Sequence, residues 1–384
     1  MNTETGTHYR TEKEHIRTRR RKSDSRTQAR VRIQKWDILK ALLIFCVVLG
    51  HMVNSYVETE EEMRKVFLFI YTFHMPLFLF VSGLFAKRTV NEKNKYRVAG
   101  YLALFVVMKV MFFAYNAFFF NIYEFDLATE QTLPWFMFVL AAFSVITMVI
   151  QDLAPSYVLA ISILLACVSG YDPLIGDRYM LSRIIVFYPF FYVGYILDHK
   201  SLEAFCRHWW AKALAVLIIA LLIFVIVVYG EDLYFLRPLL TGKNPYSELG
   251  FYGINGFTLR LLYYFFCGLI CAALIVLTPE KLGFGLLAGI GSRTLGIFVF
   301  HLFVQYQFFR RWKITMLLEP FWRDHHLRFV IIYSILAVLF LSLPVFTDMA
   351  SAVMKVPKRY PGKKTGGKRS VKREKESRSL PEEN

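Results

Sequence analysis

Long hydrophobic runs separated by short polar segments recur along almost the whole chain. A helix rises about 1.5 Å per residue, so about 20 apolar residues cross a hydrocarbon core of roughly 30 Å. The pattern predicts an all-α polytopic membrane protein, a bundle of about ten transmembrane helices. The predicted spans are 36–56, 66–86, 97–120, 134–151, 155–171, 183–198, 211–230, 257–277, 286–308 and 327–348.

Polar, basic segments flank this hydrophobic body. We predict a disordered basic cytosolic tail over 1–30, a transmembrane domain over 31–348, and a second basic cytosolic tail, mostly disordered, over 349–384. Short loops between the second and third spans and between the sixth and seventh are also basic, whereas the loops after the first and third spans are acidic. Basic loops stay on the cytosolic side, so we predict a multi-pass protein of the cell membrane with both termini in the cytosol.

Composition narrows the class further. The chain has 384 residues, of which 56% are hydrophobic, and a net charge of +17. This hydrophobic share is too high for a soluble protein of this length. The charge is concentrated on the tails, which indicates contact with anionic lipid and not with nucleic acid. The five cysteines do not have metal-binding spacing, and the sequence contains no known metal motif. We therefore expect no metal.

Three ionisable residues share the first predicted span, although charged groups are costly at membrane depth. Lys40 and His51 are eleven residues apart, almost three helical turns, so they share one face about 16 Å apart. Asp37 precedes Lys40 by one turn and is its natural ion-pair partner. We predict that this polar face is turned toward the protein interior or water. An ordinary interfacial ion pair is the alternative for Asp37 and Lys40.

A second histidine, His74, lies in the next span, which enters from the predicted external side. The two helices are antiparallel and joined by a short segment, so His51 and His74 are predicted to lie at similar depth. Imidazole accepts and returns a proton near neutral pH, and the pair therefore indicates a proton-handling site. The alternative is that each histidine is a hydrogen-bonded core residue.

Five further residues are candidates for substrate binding. Lys109 is central in the third span, beyond the reach of its own stem to either interface, and is predicted to line a cavity. Arg183 and Arg260 begin the sixth and eighth spans on the outer side, where they either anchor the helix or hold an anionic or sugar acceptor. His301, in the ninth span, is a structural hydrogen bonder or a site residue. Trp135, which opens the fourth span, is a candidate site aromatic.

These residues resemble the membrane-bound acyltransferase 3 family, in particular its branch resembling fucose 4-O-acetylases. The family signature in the first span is Arg, ten residues and His; Lys40 stands at the Arg position and His51 matches the His. FHMPLFLFVSG is similar to the branch's second-span motif through four residues: His74, Pro76, Ser82 and Gly83. LPWFMFVL, FYPFFYVGYIL and SRTLGIFVFHLF are similar to later family segments, and the resemblance covers roughly 31–345.

The resemblance implies transfer of an acyl group, usually acetyl, from cytosolic acyl-CoA to a hydroxyl of a cell-envelope or extracellular glycan. The donor is then acetyl-CoA, and His51 is the catalytic residue, as general base or transient acyl carrier. We add the hypothesis that His74 orients the hydroxyl or stabilises charge on the thioester carbonyl. Asp37 and Lys40 lie at the donor end, where Lys40 keeps the charge of the family Arg without its planar fork.

Two functions of other classes fit the same features. A polysaccharide export or translocation protein also needs a polar passage through its helices. A scaffold that recruits an envelope-synthesis complex through its basic tails is the third hypothesis, and it predicts that His51 and His74 are dispensable. The identity of the acceptor, the acyl chain length and the oligomeric state stay open at this point.

Overall fold

The computed structural model describes residues 34–129, 133–242, 245–282, 285–313 and 326–355, without the side chains of 251–253. These residues are mostly helical and contain no β-strand. The predicted disordered tails fall outside the described residues, apart from 349–355. The predicted domain boundary at 348 lies inside the last described helix, so the helical body continues to Met354.

Fifteen α-helices follow one another within the described ranges. They are α1 (Gln34–Val53), α2 (Glu61–Leu84), α3 (Lys87–Asn91), α4 (Lys95–Phe120), α5 (Trp135–Ile150), α6 (Pro155–Ser169), α7 (Leu181–Ile196), α8 (His199–Cys206), α9 (Trp209–Tyr229), α10 (Arg237–Thr241), α11 (Gly256–Leu277), α12 (Leu286–Gly291), α13 (Thr294–Tyr306), α14 (His326–Leu341) and α15 (Pro344–Met354). Short 3₁₀ turns precede α7, α10 and α11, and a π-helical turn follows α13.

Six helices of the described ranges are long and apolar enough to cross a membrane. They are α1, α2, α4, α9, α11 and the segment Arg178–Ile196 that contains α7. The pair α14 and α15 makes a seventh if it is counted as one span, and α5 and α6 are shorter apolar helices. The structure therefore supports the all-α polytopic membrane class, whereas the count of ten spans stays a prediction.

Two predicted continuous spans are each built from two helices. Span 286–308 is divided into α12 and α13, because Arg293 between them has non-helical backbone angles. Span 327–348 bends by 65° between α14 and α15. Pro344 opens α15, and its ring removes the N–H that would continue α14. Both spans are apolar as predicted, but the hydrophobicity of a segment does not indicate where its helix is interrupted.

Helix α1 is the central element of the bundle. In its apolar window 78% of the residues are buried, compared with 17% for α9, which is a peripheral helix. Its first turn is held by two polar contacts: Lys35 Nζ donates to Thr278 O at 2.9 Å, and Trp36 Nε1 donates to Glu203 at 2.8 Å. The start of α1 is thereby fixed against the segments around α8 and α11.

Helices α2 and α7 cross in direct backbone contact. A Cβ atom added to Gly83 would lie 2.0 Å from Phe191 O, and one added to Gly194 would lie 2.0 Å from Phe80 O. Each glycine thus faces the backbone of the other helix. Small residues at such a crossing let membrane helices approach closely and gain packing contacts.

The six membrane-length helices alternate in direction along the chain, so their ends collect at two ends of the bundle. We call the end with the α1–α2 connection, 54–60, the upper end, and the end with Lys35 and the α2–α4 connection, 85–94, the lower end. Backbone bonds link the upper connections, as between Tyr246 N and Gly170 O at 2.7 Å. At the lower end, Arg207 Nε donates to Glu280 at 2.8 Å.

The glycine crossing gives a direct test of the packing. Gly194→Ala places a methyl group against the backbone of α2 and is expected to destabilise the protein by about 1–3 kcal/mol through overpacking. Gly268→Ala in α11 is the matched control, since no atom lies within 4 Å of its added Cβ, and it should be neutral or slightly stabilising. Thermal unfolding in detergent measures both variants. Equal melting temperatures would contradict the tight crossing.

Candidate active site

A cavity of about 420 Å³ opens at the upper end of the bundle, between α1, α2, α5, α7 and α10. We call it the histidine cavity. It brings together four of the predicted site residues: His51, His74, Trp135 and Arg183. Its other polar lining residues are Asn54, Tyr71, Arg237, Thr241 and Glu248.

His51 lies in the last turn of α1 and is half-buried. Gln305 of α13 donates its side-chain amide to His51 O at 3.3 Å, which ties the end of α1 to α13. Within the described ranges the His51 ring makes no hydrogen bond. The imidazole therefore faces the cavity with its nitrogens available to a substrate.

His74 is buried on α2, and its backbone fixes its tautomer. His74 Nδ1 lies 2.8 Å from Ile70 O, so Nδ1 carries the hydrogen and Nε2 is left as an acceptor. Tyr71 packs edge-on against the ring, with centroids 4.7 Å apart. Two residues on, Pro76 has no N–H for Thr72 O, which instead accepts a bond from the Cys267 thiol of α11 at 3.0 Å.

His301 of α13 stands behind His51 and is not part of the cavity wall. The two ring centroids are 5.3 Å apart. His301 Nδ1 lies 3.0 Å from both Ile297 O and Phe298 O and is therefore the protonated nitrogen. Its Nε2 is buried without a hydrogen-bond partner in the described part of the chain. A buried acceptor beside the His51 ring is suited to hold that ring in one orientation.

Arg183 and Trp135 form a cationic and aromatic wall. The Arg183 guanidinium carbon lies 4.7 Å from the Trp135 ring centroid, and Trp135 stacks on Phe187 with centroids 5.9 Å apart. Arg183 is buried, and its Nη2 is 3.6 Å from Asp177 Oδ1. The ring face and the carboxylate together offset the cost of burying this charge.

Three pairs of charged or titratable side chains lie among the upper connections, and we call them the rim; of their residues, Arg237 also lines the cavity. They are Arg237–Glu58, Arg64–Glu231 and His326–Glu60. Arg237 Nη1 is 2.8 Å from Glu58, and its Nη2 donates to Asn54 at 3.2 Å. The rim connects the α1–α2 connection to the segment before α11 and to α14.

Four predicted site residues lie elsewhere. Lys40 pairs with Asp37 at 2.7 Å near the lower end. Between Lys40 and His51 the predicted polar face of α1 is interrupted by buried apolar residues such as Ile44 and Val48. The remaining two residues form separate contacts.

Lys109 and Arg260 each bind a backbone carbonyl outside the histidine cavity. Lys109 Nζ donates to Thr129 O at 2.7 Å, in the connection after α4. Arg260 Nη1 donates to Leu239 O at 2.8 Å, and its guanidinium lies over the Tyr246 and Tyr263 rings. Lys109 does not line the histidine cavity, and its role as a cavity-lining cation stays a prediction. Arg260 instead fastens α10 to α11.

Sequence reasoning missed Arg237 and Glu248, which line the cavity from the connection between α9 and α11. Both lie in polar segments outside the hydrophobic runs, where charged residues are expected on any protein. The available signal was an interrupted segment, YFLRPLL, with an arginine among apolar residues. It did not indicate which helices the arginine would meet.

Residues 33–349 match a family model described as “Acyltransferase domain”. The chain belongs to the acyltransferase 3 family. This acyltransferase assignment confirms the predicted enzyme class, and the matched range contains every residue of the histidine cavity. The narrower resemblance to fucose 4-O-acetylases stays a prediction.

The acyltransferase is also similar to Nodulation protein NolL of Sinorhizobium fredii (strain NBRC 101917 / NGR234). The two are 32% identical over 80 residues, which are 20% of this chain and 22% of that protein. The match thus spans about a fifth of its relative. No solved structure matches the acyltransferase. In the described ranges, no group of three or more His, Cys, Asp and Glu side chains is arranged to hold a metal ion.

The stacked wall predicts an energetic coupling between Trp135 and Arg183. Trp135→Leu and Arg183→Met should together cost less stability than the sum of the single changes, by about 0.5–2 kcal/mol, because each removes the same cation–π contact. Thermal unfolding of the four proteins in the cycle measures the coupling. Trp210→Leu at the lower end, combined with Arg183→Met, is the control and should be additive. Additivity in both cycles would contradict the stacked wall.

Proposed function

We propose that this acyltransferase is a membrane O-acetyltransferase that moves an acetyl group from cytosolic acetyl-CoA to a hydroxyl of a cell-envelope or extracellular glycan. The observation that carries the proposal is the histidine cavity, where His51 and His74 share one space with Arg183 and Trp135. An acyltransferase that acts on a hydroxyl needs a base at the acceptor oxygen, and imidazole supplies it near neutral pH.

The cavity wall suits a hydroxylated acceptor. Trp135 offers an aromatic face on one side, while Asn54, Thr241 and Glu248 offer hydrogen-bonding groups on others. A concave site with apolar surfaces and few placed polar groups is typical of specific small-ligand binding. A sugar ring has both apolar faces and hydroxyl edges, and we therefore assign the acceptor sugar to this wall.

His51 is the proposed base. It takes the proton of the acceptor hydroxyl as that oxygen attacks the thioester carbonyl, and it returns the proton to the sulfur leaving group when the carbon–sulfur bond breaks. The products are the acetyl ester and CoA with a free thiol. Arg183 is the cation assigned to the negative charge that develops on the carbonyl oxygen.

The tautomer of His74 decides between its two hypothesised roles. A neutral His74 presents Nε2 as an acceptor, because Nδ1–H is bound to Ile70 O. A hydrogen-bond acceptor such as Nε2 binds the hydrogen of a hydroxyl group but cannot stabilise an oxyanion. We therefore assign His74 to orienting the hydroxyl of the glycan. His301 is assigned as a positioning residue: its buried Nε2, without a partner in the described residues, stands beside the His51 ring as an acceptor for one ring nitrogen, which would leave the other as the base.

The donor is assigned to the lower end. Lys40 keeps a partly exposed positive charge there, paired with Asp37, and lies about 16 Å from His51 along α1. Exposed Lys and Arg residues are frequent at this end, as in Arg88, Lys93 and Lys281. By the positive-inside rule we place the lower end in the cytosol and the upper end outside the cell membrane.

Replacement of His51 tests the chemistry. His51→Ala should lower the acetyl-ester content of envelope glycans by about 10²–10⁴-fold, since general-base catalysis contributes about that much. Protein amount and thermal stability should be unchanged. His208→Ala, at the lower surface beside Trp210, is the matched control and should keep full activity. Normal acetylation in His51→Ala would contradict the proposal. Reduced export of glycans that still carry a normal number of acetyl groups would also contradict it and would favour translocation.

Orientation is tested with impermeant maleimide on intact cells. The five native cysteines are free and buried, so single exposed cysteines report their own side of the membrane. Glu62→Cys at the upper end should react in intact cells, and Lys281→Cys at the lower end should react only after lysis. The reverse pattern would place the histidine cavity on the cytosolic side.

A further inference from the structure

A second cavity of about 430 Å³ lies between α2, α9 and α11, beside α10. We call it the apolar groove. Its lining side chains are hydrocarbons except for Thr72, Tyr263 and Cys267. The volume lies within the roughly 300–1,000 Å³ typical of ligand sites. The groove is walled by α9, a peripheral helix, so it lies next to the lipid.

The polar atoms of the groove wall are mostly bonded within the wall. Thr72 Oγ1 donates to Leu68 O at 2.7 Å, and the Cys267 thiol donates to Thr72 O at 3.0 Å. These two groups offer little to a polar ligand, whereas the Tyr263 hydroxyl is buried without a hydrogen-bond partner in the described part of the chain. The wall therefore suits an aliphatic chain.

Two helices form a partition that the apolar groove and the histidine cavity share. On α10, Leu239 faces the groove, Arg237 and Thr241 face the cavity, and Leu240 lines both. On α2, Leu68 and Thr72 face the groove, while Tyr71 and His74 face the cavity. The two spaces are thus adjacent, with α10 standing between them.

The positive charge of Arg237 stands at the partition, where a lipid-linked sugar would have the junction between its aliphatic chain and its sugar. Arg237 begins α10, between Leu236 of the groove wall and the cavity. A guanidinium where an apolar site meets a polar one suits the linker between an aliphatic chain and a sugar. Arg237 already bonds Glu58 and Asn54 and lies over two aromatic rings, and its side chain keeps an exposed fraction of 33%.

We propose that the apolar groove binds the aliphatic chain of a membrane-anchored sugar, so that the sugar hydroxyl reaches His51. The inference rests on the proposed function and names its acceptor class, a glycolipid or lipid-linked sugar. Within a bilayer a chain gains little by leaving lipid for a protein groove, because lipid tails are as apolar as leucine. The groove therefore selects by position: it holds the amphiphile where its headgroup enters the cavity.

The test uses the full chain in phospholipid nanodiscs and a dodecyl glucoside with a diazirine on its alkyl chain. After illumination, peptide mass spectrometry locates the label. Phosphatidylcholine with the same diazirine chain reports general lipid contact. We expect the glucoside to label the groove segments of α9 and α11, and phosphatidylcholine to label the outer helix faces without preference for the groove.

Two neighbouring leucines of α11 provide matched variants. Leu262 lines the groove and Leu261 does not, although their exposures are alike, 45% and 47%. Leu262→Trp should reduce glucoside labelling of the groove by about tenfold, because the larger side chain takes up volume in which the alkyl chain would lie. Leu261→Trp should leave it unchanged.

Three outcomes would overturn the proposal: label insensitive to Leu262→Trp, groove labelling by phosphatidylcholine as strong as by the glucoside, or displacement of the label by lauroyl-CoA but not by unlabelled dodecyl glucoside. The last would assign the groove to a donor chain. Labelling requires no turnover, so His51→Ala should keep it. Groove labelling with acetylation unaffected by His51→Ala would refute the catalytic assignment and leave the groove assignment standing.

Discussion

The backbone contact between α2 and α7 sets the width of the histidine cavity. Gly83 and Gly194 allow the two helices to touch near the lower end, and each helix continues upward from this contact past one internal proline. His74 lies nine residues before Gly83 and Arg183 eleven residues before Gly194. The separation of these two side chains is therefore fixed by a crossing that neither of them contacts.

Buried polar side chains fall into two groups in this bundle. Most bond a nearby backbone carbonyl, as Lys35 does with Thr278 and Arg260 with Leu239. Such bonds satisfy the charge or dipole and fasten neighbouring segments, which apolar surroundings require. His51 differs, since its ring faces an open cavity without a bond in the described part of the chain. This contrast supports the proposal that His51 is the base.

Sequence reasoning reached the helices and the two histidines of the site, for a clear physical reason. Hydrophobic runs determine membrane helices, and a short connection forces α1 and α2 to be antiparallel neighbours, which brings His51 and His74 together. Sequence reasoning failed where the partner of a residue comes from a segment distant in the chain. Lys109 seemed too deep to find a partner within its helix, yet the connection after α4 returns along the helix and supplies Thr129 O. Arg237 was missed because its position depends on how α10 packs against α2. The bends at Arg293 and Pro344 were hidden inside continuous apolar runs.

The two ends of the candidate active site are held together by different kinds of contact. Below, the cavity floor is made of helices in close contact, which resist separation. At the upper end the rim consists of partly exposed side-chain pairs, and exposed ion pairs contribute only about 0.2–1 kcal/mol each and weaken as salt rises. Glu58, with its side chain 78% exposed, is the clearest case. The contacts among the upper connections therefore separate at a lower energetic cost than the helix packing beneath them.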